Sequence, residues 1–168
     1  LVLSGCSSDA DNGTGYVKFY NASPNAPSIF LTVDENLDDD DDDEIEVTYS
    51  AVGYTKVSGN NVLDTDTYFI ELAWQDEESS DRSDLEIIYE DSVSIKADEI
   101  SFIALTGDVR NPEVLRFDID IIDDDEDDDD DLFNIRLLNI HEAIQSVDLY
   151  VSKDNETFNE AEFLTTVN

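Results

Sequence analysis

The chain has no methionine, one cysteine, one histidine, 3 prolines and 8 lysines plus arginines. A single cysteine forbids an intrachain disulfide. Eight cations against 44 carboxylates leave a formal charge of −36. No basic patch can then displace counterions from phosphates, and nucleic acid is excluded as a partner. No run of about 18 apolar residues occurs, which excludes a multi-pass membrane protein. One histidine, His141, and one cysteine cannot build a zinc site. A Ser-His-Asp triad would have to use His141, which reads as a surface loop residue. With no methionine at position 1, the sequence is expected to start inside a longer reading frame.

What remains is enough to fold. Of the 168 residues, 40% are hydrophobic and 10% aromatic, in patterned blocks. That length suits one domain of about 100–150 residues with a remainder.

The N-terminus carries a motif. Leu1-Val2-Leu3-Ser4-Gly5-Cys6 is followed by the polar stretch Ser7 to Gly15. Leu3-Ser4-Gly5-Cys6 resembles the lipobox of a bacterial lipoprotein signal peptide. A thiol accepts a diacylglyceryl group, and small residues before it let the signal peptidase reach the bond. Residues 1–5 are then a signal-peptide remnant outside the fold. Residues 6–15 form a lipidated Cys6 and a flexible tether. Each buried methylene contributes about 0.8 kcal/mol, so several acyl chains hold the chain durably in a membrane. Ser7 after the cysteine resembles lipoproteins sent to the outer membrane, so the expected location is the bacterial cell envelope.

Residues 16–122 read as a first module of strands. Tyr16–Tyr20, Ser28–Val33, Ile45–Tyr49, Thr67–Trp74, Leu85–Tyr89, Ser92–Ile95, Ile100–Thr106 and Val114–Ile121 are β-branched, aromatic or alternating. Val52–Val57 is a short strand or bend, Gln75–Asp84 a polar hairpin loop and Gly107-Asp108 a turn. Ile100–Thr106 is almost wholly apolar and is expected at the centre of a sheet. No helical period persists. Strands at such spacing give an all-β class, a sandwich or barrel.

Shifting the sequence by 118 residues aligns Val17 with Ile135, Asn21 with Asn139, Ile29 with Val147 and Leu31 with Leu149. This is a tandem repeat. Residues 123–132 are an acidic linker, and 133–168 a partial second module with about three strands and no complete sandwich. A full copy would run to about residue 240, so the sequence is expected to be a fragment at both ends.

The segment Val17-Lys18-Phe19-Tyr20-Asn21-Ala22-Ser23-Pro24-Asn25-Ala26-Pro27 resembles the opening of a bacterial family, domain of unknown function 4397. That family begins with an apolar strand and an Ala-Ser-Pro-Asp-Ala-Pro loop. Here Asn25 replaces the Asp. Ser146–Val151 is similar to the family's next strand, while Ile140–Gln145 has lost the loop's prolines. The resemblance implies immunoglobulin-like β-sandwich modules in tandem, the second incomplete, in a secreted or lipid-anchored protein. It supplies no catalytic residue.

Two acidic runs stand out. Asp38, Asp39, Asp40, Asp41, Asp42, Asp43 and Glu44 form the first. Asp123, Asp124, Asp125, Glu126, Asp127, Asp128, Asp129, Asp130 and Asp131 form the second. Without them the chain still carries −20. Such runs read first as solvated, self-repelling loops. The alternative is weak calcium binding, since hard cations want oxygen ligands, but a defined site needs spaced ligands and a glycine turn. Screening by salt would favour so acidic a surface in a salt-tolerant bacterium.

Carboxylates are too abundant for any pair to mark a glycan hydrolase, the distant alternative. Trp74 and the strand tyrosines read as core or edge residues before they read as a sugar platform. The sequons at Asn12, Asn21 and Asn155 carry little meaning in a bacterium. The sequence thus points to a non-catalytic envelope module that meets the membrane through its anchor and an unknown protein or glycan through its surface. No cofactor is expected beyond weak Ca²⁺.

Overall fold

A computed structural model describes residues 13–35, 47–48, 51–75, 84–121, 135–140, 143–153 and 157–167. The chain divides into two units, Leu1–Asp123 and Asp124–Asn168. The all-β class is observed: among the described residues the elements are strands apart from short 3₁₀ turns.

In the first unit the strands are β1 (Thr14–Asn21), β2 (Ile29–Asp34), β3 (Val47–Thr48), β4 (Asn61–Asp64), β5 (Thr67–Trp74), β6 (Glu86–Ser94), β7 (Glu99–Asp108) and β8 (Asn111–Asp120). They form two four-stranded sheets, ordered β4-β1-β7-β8 and β3-β2-β5-β6. The apolar β7 is central, as its composition predicts, and runs parallel to β1. Alternation does the folding. Val17 and Phe19 of β1, Ile29, Leu31 and Val33 of β2, and Ile70 and Leu72 of β5 are buried in one cluster with Ile103 and Leu105 of β7. Both sheets therefore bury their inner faces against each other.

Immunoglobulin order keeps the first two strands in one sheet. Here β1 and β2 lie in different sheets, which departs from the order the resemblance implies. The cause is local: the loop from Ala22 to Ser28, with Pro24 and Pro27, carries the chain across. The segment 52–57 then bridges both sheets, Val52 pairing with Ile29 and Val57 with Tyr20.

Two other readings are corrected, and one strand is added. The turn between β7 and β8 is Val109-Arg110, because the Asp108 carboxylate accepts the Arg110 N–H at 2.9 Å and closes an Asx turn there. Gly107 lies inside β7 at φ 70°. The stretches Leu85–Tyr89 and Ser92–Ile95 fall on one strand, β6 (Glu86–Ser94), with a bulge opposite Leu72 and Ala73. β4 carries no strand pattern of its own; pairing with β1 creates it.

The outer faces of the two sheets differ in charge. On the β4-β1-β7-β8 sheet, cross-strand rows run Val62–Tyr16–Ile100–Ile119, then Lys18–Phe102–Phe117, then Tyr20–Ala104–Leu115. These rows contain no carboxylate. Asp64 beside Thr14 and Glu113 beside Thr106 mark the two ends. On the other sheet, Glu71 sits between Thr32 and Glu90.

The second unit contains β9 (Val147–Val151) and β10 (Glu162–Val167), paired antiparallel. β9 begins 118 residues after β2. Residues 135–140, aligned by sequence with β1, are not a strand. In the first unit β1 is held by β4 and β7; residues 135–140 pair with no strand among the described residues. A 3₁₀ turn at Phe158–Glu160 precedes β10, capped by Thr157, whose N–H and hydroxyl both bond the Glu160 carboxylate. Those bonds hold the Glu160 carboxyl below its ordinary range. Tyr150 meets Phe158 and Phe163 edge-on at 5.1 and 5.5 Å.

Candidate functional site

The loop that carries the family resemblance is built into the fold. Asn21 is 0% exposed. Its Nδ2 donates to the carbonyls of Val52 at 2.9 Å and Pro27 at 3.2 Å, and its Oδ1 accepts from the Ser23 N–H. Ser23, also buried, donates from Oγ to the Gly107 carbonyl at 2.8 Å. Asn25 Nδ2 donates to Asp108 Oδ2 at 2.8 Å. With the Arg110 N–H, which contributes more, this bond keeps the Asp108 carboxyl below its ordinary range. One buried amide thus ties β1 to the bridging segment and to its own loop. Buried polar groups must be satisfied, and here each bond also fixes the path of the chain. A glycan on Asn21 would have no room.

In the second unit Asn139, aligned with Asn21, donates to the Ile144 carbonyl at 2.7 Å. The first-unit bond spans six residues and this one five. The loop has lost its prolines and keeps its amide clasp.

A groove of about 640 Å³ opens beside the loop. Trp74 ends β5, Ile87 and Ile88 lie near the start of β6, Pro27 closes the loop, Arg110 belongs to the β7–β8 turn and Pro112 to the start of β8. Trp74 and Ile88 also pack on the core, so this wall is fixed. Ile87 is 49% exposed. Glu86 and Arg110 are the ionisable residues of the lining. The surface offers apolar and ring contact with one charge of each sign, which suits binding of an apolar or ring-bearing group. Trp74, read from sequence as core or edge, is both core and groove wall.

Two cations close the side of the first unit. Arg116 on β8 donates to the Ser92 carbonyl at 2.5 Å and the Tyr89 hydroxyl at 3.1 Å, and pairs with Asp91 at 2.9 Å. Lys96 pairs with Asp118 at 2.9 Å and Glu99 at 3.0 Å. The Ser92 N–H, the Tyr89 hydroxyl and Arg116 hold the Asp91 carboxyl below its ordinary range. Burial, then the bond to Asp91, raises the Tyr89 phenol.

Cys6, both acidic runs and His141 lie outside the described residues. Among the described residues, no three His, Cys, Asp or Glu side chains converge as a metal site. No helix among them is long and apolar enough to cross a membrane.

No family model and no curated protein matches the chain. Two solved structures share a distant likeness. The human-specific toxin intermedilysin gives a TM-score of 0.34 at 12% identity, over 63% of this chain and 23% of that one. A disulfide-locked intermedilysin mutant with human CD59 gives 0.32 at 12%, over 62% and 24%. The matched chain spans about a quarter of either toxin's length.

Proposed function

We propose that this protein is a non-catalytic lipoprotein of the bacterial cell envelope, anchored through Cys6, and that it serves as a binding or spacing module.

 The observation that carries this reading is Leu3-Ser4-Gly5-Cys6, set before a polar stretch and a self-contained two-sheet unit. The repeat at 118 residues and the recurring clasp at Asn21 and Asn139 support modules in tandem. The resemblance to domain of unknown function 4397 supports the same reading. The groove at Pro27, Trp74 and Arg110 is the surface offered to a protein or glycan. Envelope fractionation tests the proposal, with the full chain expressed behind a complete lipoprotein leader. The wild type should sediment with outer membranes and the Cys6→Ser variant should not. Equal distribution of the two would overturn it.

A further inference from the structure

We propose that the outer face of the β4-β1-β7-β8 sheet rests on the lipid bilayer that holds the anchor. The inference rests on the lipoprotein reading and adds a surface to it. Tyr16, Tyr20, Phe102 and Phe117 share this face, and Tyr20 and Phe102 stand 6.5 Å apart, ring to ring. Val62, at its edge, is 57% exposed. Lys18 is the one charge in the three rows between Asp64 and Glu113. In a chain with 44 acids among 168 residues, three successive rows without a carboxylate, with Asp64 and Glu113 only at the ends of the face, are a departure that solvation alone does not require.

Size and charge choose the occupant. Four strands about 4.8 Å apart, with about five residues each, give a face of roughly 300–400 Å². A stable dimer buries about 800 Å² on each partner. A second copy would also bring another −36 charge close. A bilayer needs no such area, because the anchor supplies the attachment and the tether a high local concentration. Thr14 lies eight positions after Cys6, a reach of at most about 29 Å. Tyrosine rings suit the headgroup layer, and a lysine can lay its stem on apolar surface while its ammonium meets phosphate. An anionic bilayer repels Glu71 and Glu90 on the opposite face, so charge also sets the orientation.

Cys6 is the sole thiol, so the full chain can be coupled to a maleimide lipid whatever the cell does. The vesicles are brominated phosphatidylcholine with phosphatidylglycerol. In a Trp74→Phe background, Val62→Trp reports from this face and Phe69→Trp from the other. Emission from Val62→Trp should be strongly quenched, that from Phe69→Trp should not, and Lys18→Glu should weaken the quenching. Both positions are already exposed, at 57% and 43%, so the fold tolerates the reporters. Equal quenching of the two, or none, overturns the proposal. So does a dimer of the uncoupled chain that Val62→Asp dissolves. Quenching in vesicles without lipid on Cys6 in cells overturns it through the anchor; lipid on Cys6 without quenching overturns it through the face.

Discussion

Asn21 donates to the carbonyl oxygen of Val52 at 2.9 Å from a position with no solvent exposure. That bond joins the end of β1 to the segment that bridges the two sheets. Replacing Asn21 by Ala removes the amide and leaves the Val52 and Pro27 carbonyls and the Ser23 N–H short of a partner. The cost should be about 2–4 kcal/mol, read from denaturant unfolding. Asn25→Ala, which removes an exposed bond to Asp108, should cost under about 1 kcal/mol. Equal losses would show that the clasp does not hold the loop.

Gly15 sits where β1 passes the 95–99 segment. A methyl group there would collide with the Lys96 carbonyl oxygen and the Ile95 side chain, the latter at 2.8 Å. Gly15→Ala should destabilise the first unit by about 1–3 kcal/mol, measured by thermal or chemical unfolding. No change would mean that the two segments separate freely.

Two tyrosines set an alkaline limit. Burial first, then Glu35, Asp64 and Asp66, raises the Tyr68 phenol above its ordinary value. Tyr89 is raised as well. A raised folded value gives stability that is complete below about pH 10 and lost as pH rises through the folded value. Tyr68→Phe should therefore shift alkaline unfolding to higher pH. At neutral pH it should cost about 1 kcal/mol through its lost bond to the Asp64 carbonyl. An unchanged alkaline midpoint would contradict this. Asp91 has the opposite sign: its lowered value gives stability present above the ordinary carboxylate range and lost as pH falls through the folded value.

Salt should stabilise the chain. A charge of −36 repels itself, and screening relieves the repulsion. Melting temperature should climb with sodium chloride and then level off. With the acidic runs as solvated loops, calcium at matched ionic strength should add nothing further. A larger calcium shift, lost when both runs become Gly/Ser, would assign them to cation binding instead.

Strand pattern was legible because it is local. Thr67–Trp74 and Ile100–Thr106 announce themselves by residue type, and both are strands. The division into sheets was not legible, because it depends on Val52 and Val57 bridging different sheets, which no periodicity encodes. β4 was hidden in Asn61-Val62-Leu63-Asp64, where only the partner strand makes the ladder. The Asn21 motif could be picked out as a signature, but its role as a buried clasp needed its partners at 27 and 52. The rows without a carboxylate were invisible for the same reason: their residues come from four strands and meet only through register.

The central claim is the anchor at Cys6. Intact mass spectrometry of the N-terminal peptide tests it most directly, on the full chain matured in a bacterium behind a complete leader. The account predicts a peptide that begins at Cys6 and carries a diacylglyceryl group on its sulfur. An unmodified Cys6 that still follows Leu1–Gly5 would contradict it.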